Sequence, residues 1–189
     1  MPSTKTRKQT KAPKVLASKV SFRGKVFSVT TDRVLEPNGV TAVRDVVRHS
    51  GSVVILAIEE SEREARVLLE RQYRYAVRDY ICEIPAGRID GTEKPLAAAK
   101  RELREETGYS AKSWRKALFF YPSPGFMDET MTVFLARGLK TGEAEPEEDE
   151  RIEYGLVPLS QAVRMIMSGE IRDGKTVAAV LWFRQQQVR

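Results

Sequence analysis

This chain of 189 residues contains one cysteine, Cys82, and one histidine, His49. A single thiol excludes an internal disulfide, and the low count rules out zinc sites built from Cys and His. A Ser-His-Asp triad would have only His49 as its base, and no G-x-S-x-G elbow accompanies it. Cys82 lies in the apolar stretch YICEIPA and reads as a small core residue; His49 reads as structural. Long apolar runs are also missing. The longest, such as VVILAI at 53–58, fall far short of the roughly 18 residues that a membrane span needs. No apolar h-region follows the basic N-terminus, so no signal peptide is expected and residence is expected to be cytoplasmic.

Acidic residues are absent from positions 1–19, which carry Lys5, Arg7, Lys8, Lys11, Lys14 and Lys19. These six account for the whole net charge of +6, because the remainder balances 26 basic residues against 26 acidic ones. The tail is poor in apolar residues and has no aromatic ring for base stacking. It is therefore expected to be a disordered, solubilising extension, without a nucleic-acid or membrane role.

The composition of the whole chain, 41% hydrophobic, suits one compact domain with a small annex. Residues 20–50 alternate in short β-rich runs around EPNG, whose Asn38-Gly39 signals a hairpin turn. They predict an antiparallel annex, followed by a main domain over 51–189. Within that domain GSVVILAIEE, ARVLLERQYRY, YICEIPAG, WRKALFFYPSPG, the run from Met131 to Ala136 and RIEYGLVPL read as strands. Helices are expected at 159–168 and 177–187. The result is an α/β chain with a mixed sheet.

The segment GRIDGTEKPLAAAKRELREETGY at 87–109 has a different character. Thr92 is a suitable N-cap, Pro95 is tolerated in a first turn, and Gly108 suits the position just past a helix end. A helix is expected over 93–107, with Leu96, Ala99 and Leu103 facing a core. Glu102, Glu105 and Glu106 form a second stripe at i, i+3 and i+4. Like charges at that spacing destabilise a helix by about 0.2–0.5 kcal/mol per pair, so something must offset the repulsion. A hard cation such as Mg²⁺, which takes oxygen ligands and works beside substrate phosphates, meets the need.

The same residues satisfy G-x5-E-x7-R-E-U-x-E-E-x-G-U, where U is apolar, with Tyr109 the one loose match. Seven specified positions at ordinary residue frequencies coincide by chance about once in 10⁸ starting places. The segment looks like the Nudix box, and the chain resembles the Nudix hydrolases. That resemblance implies an α/β/α sandwich and the hydrolysis of a nucleoside diphosphate linked to a further group, with Mg²⁺ or Mn²⁺ bound. It implies Glu102 and Glu106 as principal metal ligands, Glu105 assisting, and the Ala86 carbonyl completing the sphere. Arg101 would orient these carboxylates.

Outside the box the chain resembles ADP-ribose pyrophosphatases. RQYRYAVRDYICEIPAG is similar to that group's arginine-bearing strand followed by E-[LI]-P-A-G, which implies Arg74 on a substrate phosphate and Glu83 near it. YPSPGFMDE places Pro124, followed by Gly125, at the group's spacing beyond the box. The acidic stretch EPEEDERIEY resembles the loop that supplies a catalytic glutamate, implying Glu150 as first choice of general base and Glu148 as second. A small nucleotide substrate and a homodimer formed through the annex are implied as well. Phe22, Phe27, Tyr73 and Phe126 are available as an adenine platform. The rival readings are a pyrophosphatase for another nucleotide sugar such as GDP-mannose, and a non-catalytic ligand sensor of the same fold. The intact glutamates of the box argue against the sensor.

Overall fold

The structure is a computed structural model that describes residues 11–145 and 151–187. It divides into two compact units: the described residues up to His49 together with Ser123–Asp128, and Ser50–Pro122 together with the described residues from Glu129 onward.

The first unit is a three-stranded antiparallel sheet of β1 (Lys14–Arg23), β2 (Ser28–Leu35) and β3 (Thr41–Arg48), in that order. The expected hairpin joins β2 to β3. Gly39 takes φ 87°, where a side chain is disfavoured, and Asn38 Oδ1 accepts from the Val40 N–H at 3.1 Å. β1 corrects the expectation of a disordered tail over 1–19, since Lys14 to Lys19 are paired with β2. Every residue of β1 is exposed. Its ladder hydrogen bonds to β2 hold it.

Ser123–Asp128 belongs to this unit through its backbone. The Val47 N–H donates to the Phe126 carbonyl at 2.8 Å, and the Asp128 N–H donates to the Val47 carbonyl at 3.0 Å. Arg48 reinforces the join, reaching Asp32 at 2.6 Å and Asp128 at 3.1 Å.

The second unit is built on a seven-stranded mixed sheet. β4 (Ser52–Glu59), β5 (Arg66–Arg74), β8 (Ser110–Phe120), β9 (Met131–Lys140) and β10 (Ile152–Pro158) run in the order β10-β5-β4-β9-β8. β6 (Asp79–Glu83) pairs with β5, and β7 (Ala86–Arg88) pairs with β4. β4 and β9 are parallel and the other ladders antiparallel.

Strand β4 explains the layering. Successive side chains on a strand face opposite ways, and β4 is buried on both sides. Val53, Ile55 and Ala57 pack with Ala98, Ala99 and Leu103 of α1 (Pro95–Thr107). Val54, Leu56 and Ile58 pack with Leu159 and Ala162 of α2 (Leu159–Met167) and with Ala179, Val180 and Phe183 of α3 (Gly174–Gln187). This is the expected α/β/α sandwich.

Two local expectations for α1 are corrected. The helix begins at Pro95, two residues later than expected, with Lys94 at the cap and no side-chain capping bond. Proline pre-sets the first helical φ and needs no N–H partner there, so it sets the start, and Thr92 falls too early to cap it. The core stripe also shifts by a residue. Leu96 is exposed, and Ala98 joins Ala99 and Leu103 in the interior. Adjacent small residues suit a helix lying close to a sheet.

Candidate functional site

The loop after β7 and the helix α1 carry the acidic segment, and Arg101 ties them together. Its Nε and Nη2 donate to the two oxygens of Glu93 at 3.3 and 3.0 Å. Nη2 also donates to the Arg88 carbonyl at 3.2 Å. Nη1 lies 2.8 Å from Glu102 Oε1 and 3.0 Å from Glu105 Oε2. Glu93's hydrogen bond is the main influence raising the Arg101 pKa above its ordinary value. Burial opposes it, and Glu105 and Glu102 add to the rise. A planar five-donor fork is the side chain that can bridge three carboxylates and a carbonyl at once.

Glu102 sits where a side chain on Gly87 would have to be: a methyl group there would overlap its carboxylate. Glycine at 87 therefore lets the carboxylate lie against β7, beside the Ala86–Gly87 peptide. Glu106 is buried on the same helix, at 4% exposure, while Glu102 and Glu105 are partly exposed. The structure thus gathers Ala86, Arg101, Glu102, Glu105 and Glu106 around one turn of helix and one short strand. Among the described residues, no three acidic, histidine or cysteine side chains form a ready cation cage. The residues expected to hold a cation would offer it oxygen alone, from carboxylates and a backbone carbonyl. That set suits Mg²⁺ or Mn²⁺ over softer metals, and the cradle at Gly87 keeps one of its oxygen donors against the chain.

A second group of buried charges lies on β5, β6 and the start of α3. Glu83, at 1% exposure, receives Arg74 Nε at 2.6 Å and also pairs with Lys175, itself 8% exposed. Lys175 Nζ is also 3.1 Å from Asp173. Asp173 in turn accepts from the Thr176 N–H at 2.9 Å and the Thr176 hydroxyl at 2.6 Å. The Ile84 N–H donates to Thr176 Oγ1 at 3.0 Å, so α3 is pinned to the segment following β6.

Arg74, Glu83 and Lys175 line a cavity of about 490 Å³ with Ile81, Val77 and Gly174. Asp79 and Arg172 also line it and pair at 2.7 Å. Burial by itself would lower the Arg74 pKa. The Glu83 hydrogen bond and charge, with Glu70 and Glu106 behind them, outweigh burial and raise it. Glu106 of the box thus acts on Arg74, one of the residues that line the cavity.

Lys175 is the residue that sequence reasoning missed. Its signal, R-D-G-K-T at a helix start, names no partner, and Glu83 lies 92 positions away.

The other predicted residues fall elsewhere. Pro124 and Gly125 sit in Ser123–Asp128, the segment joined to β3 in the first unit. Phe22, Phe27 and Phe126 are exposed in that unit, with Phe22 and Phe27 ring centroids 5.8 Å apart. Tyr73 belongs to the second unit, edge-on to Tyr80 at 5.3 Å. Glu148 and Glu150 lie outside the described residues. The chain is described on either side of them: the Glu145 N–H donates to the Glu105 carbonyl at 2.9 Å, and the Tyr154 ring meets Tyr109 edge-on at 6.3 Å.

Comparison with known proteins agrees with this architecture. The NUDIX domain family matches residues 48–180. The ADP-ribose pyrophosphatase of Bacillus subtilis (strain 168) is 39% identical, over 92% of this chain and 94% of its own length. A methanol dehydrogenase activator of Bacillus methanolicus is 37% identical over the same shares. A solved crystal structure of an ADP compounds hydrolase shares the fold, with a TM-score of 0.81 at 22% identity, over 95% of this chain and 96% of that one. The box at 87–109, the sandwich that presents it and the match over 48–180 together make this chain a member of the Nudix hydrolase family.

Proposed function

We propose that the chain hydrolyses the pyrophosphate bond of ADP-ribose, giving AMP and ribose 5-phosphate, with Mg²⁺ or Mn²⁺ bound. The observation that carries this reading is the adjacency of two parts. Carboxylates and a backbone carbonyl lie on α1 and β7, and Arg74, whose charged form Glu106 favours, lines a cavity together with Glu83, Lys175 and Asp173. A diphosphate bearing two groups would use both: a cation to offset its charge, and guanidinium N–H groups such as those Arg74 keeps beyond its Glu83 bond to bind phosphate oxygens. The name carried by the Bacillus subtilis relative supports adenosine diphosphate ribose as the compound.

Ala86, Glu102, Glu105 and Glu106 would hold the cation. When bound, it would lower the pKa of a coordinated water and offset charge on the phosphoryl oxygens. Arg101 keeps Glu102 and Glu105 oriented through its ion pairs with both. Arg74, held in place by Glu83, presents its remaining guanidinium N–H groups for a phosphate, and Pro124 with Gly125 are assigned to the substrate on resemblance. In the reaction a water oxygen bonds to one phosphorus, the bridging P–O bond breaks with its oxygen leaving on the other phosphate, and one carboxylate takes the water's proton, with Glu150 the first choice for that base and Glu148 the alternative.

A homodimer formed through the first unit belongs to the same reading. Val15, Leu16, Val20 and Phe22 stand exposed on its outer strand, β1, and large apolar groups in such number mark a surface that a partner covers. Activity is assigned to the cytoplasm. Among the described residues, no helix is long and apolar enough to cross a membrane.

A panel of nucleotide sugars assayed with Mg²⁺ tests the substrate. AMP release from ADP-ribose supports the reading. Cleavage of GDP-mannose with none of ADP-ribose overturns it.

A further inference from the structure

Glu83 gives its two oxygens to two different cations. Oε1 accepts from Arg74 Nε at 2.6 Å, and Oε2 pairs with Lys175 Nζ. An arginine beside a carboxylate has a stronger arrangement open to it, a bidentate grip in which two N–H groups take one oxygen each. Arg74 does not adopt it. Among the described residues its Nη1 and Nη2 groups make no hydrogen bond, and the oxygen that the second arm of the fork would take is held by Lys175. The Arg74 side chain is 39% exposed against 2% for Glu83, so the fork meets solvent although its carboxylate partner does not.

The start of α3 delivers the ammonium to that oxygen. Asp173 accepts from the Thr176 N–H and hydroxyl, and its Oδ2 lies 3.1 Å from Lys175 Nζ. Thr176 Oγ1 accepts in turn from the N–H of Ile84, the residue after Glu83. Lys175 is thus fixed between two carboxylates by a run of polar contacts, which is what a buried ammonium requires. Arg74 by itself would already neutralise Glu83. What Lys175 adds is a competitor for Oε2.

We infer that Lys175 is a positioning residue for substrate: by holding Glu83 Oε2 it limits Arg74 to a single Nε contact, and so leaves both Nη groups open for the phosphate oxygens of a nucleoside diphosphate compound. The inference rests on the function proposed above, which puts a phosphate on Arg74. Lys175 touches no reacting atom and acts through Glu83 and Arg74. Without the ammonium, Arg74 closes on Glu83 through two N–H groups and has fewer left for substrate.

The test compares Lys175→Met, the same change combined with Glu83→Gln, and Phe183→Leu. The amide in the double variant can accept from Arg74 Nε but offers no second acceptor, so the two-point grip is closed to Arg74. Phe183→Leu trims a core residue of the same helix and controls for a loss of stability alone. Wild-type protein is assayed first against the nucleotide-sugar panel, and the variants are assayed on whichever diphosphate it cleaves. Ligand-free protein is also examined by ¹⁵N nuclear magnetic resonance of the arginine side chains, with Arg74 assigned by its loss in Arg74→Gln. That spectrum needs no substrate, so a wrong substrate shows in the wild-type assay and a wrong inference in the spectra.

The expected result for Lys175→Met is a KM higher by about tenfold or more with kcat within about threefold, the pattern of lost substrate binding through a charged hydrogen bond. Its Arg74 Nη groups should be slowed in rotation and resolve into separate signals, where those of the wild type average. The double variant should return KM to within about threefold of wild type and the Nη signals to averaging. Phe183→Leu should melt at a lower temperature with the KM and spectrum of wild type. If Lys175→Met does not fold, Lys175→Ala, which leaves room for water beside Glu83, decides in its place. Resolved Nη signals in the wild type, averaged ones in the lysine variant, a wild-type KM in that variant, or a raised KM that persists in the double variant overturns the inference.

Discussion

The carboxylate of Glu102 occupies the space that a side chain on Gly87 would fill. A strand residue and a helix residue are thereby locked in one geometry, and the glycine that opens the box has a reason beyond backbone freedom. Gly87→Ala should push Glu102 off β7 without unfolding the domain, since overpacking costs about 1–3 kcal/mol. The expected outcome is a kcat/KM lower by about 10²-fold, with weaker Mn²⁺ binding and a cooperative melt. Kinetics, metal titration and calorimetry on the one variant check it, and unaltered metal affinity would detach Glu102 from the donor set.

Arg101 joins Glu93, Glu102, Glu105 and the Arg88 carbonyl. Lysine keeps the charge but has no fork. Arg101→Lys should therefore behave much like Arg101→Ala, each lowering kcat/KM by about 10–100-fold, equivalent to about 1.4–2.7 kcal/mol. Full activity in the lysine variant would show that charge alone suffices.

Glu83 is a buried carboxylate with two cationic partners, Arg74 and Lys175. Removing the sole partner of a buried charge costs about 3–5 kcal/mol, because the remaining charge loses its compensation. Arg74 still faces Glu83 after Lys175→Met, so that variant should lose part of this in urea unfolding. Adding Glu83→Gln should recover part of it, and strict additivity of the two changes would refute the coupling.

Burial pushes the Cys82 thiol up to about 11 from an ordinary 9.0. At pH 8 the folded protein should then hold only about one thiolate in 10³. Reaction with a disulfide reagent should run about 100-fold slower in the native state than in urea. The sign for stability follows. The folded state retains its proton longer than the unfolded state, so this contribution is complete at neutral pH and is lost as pH rises through about 9 to about 11. Equal labelling rates in the two states would show that the thiol is not held in this way.

Much of this was legible because the box is a local pattern. Its spacing of Gly87, Glu93, Arg101, Glu102, Glu105, Glu106 and Gly108 specifies one helix and one chemistry within 22 residues. The doubly buried β4 was legible for a similar reason, since VVILAI is apolar on both faces. What could not be read depended on distant or backbone partners. β1 forms through ladder bonds to β2, a partner that the charge of the basic stretch at 1–19 does not reveal. The start of α1 was misplaced because Pro95 outweighed Thr92. Lys175 acquires its role only when α3 meets β6.

The most direct measurement is AMP release from ADP-ribose by wild type and by Glu106→Gln, with Mg²⁺ and after exhaustive chelation with EDTA. The account predicts AMP and ribose 5-phosphate from the wild type with metal, none after chelation, and a loss of several kcal/mol of transition-state stabilisation in a folded Glu106→Gln. Turnover that survives either the chelator or the substitution would contradict it.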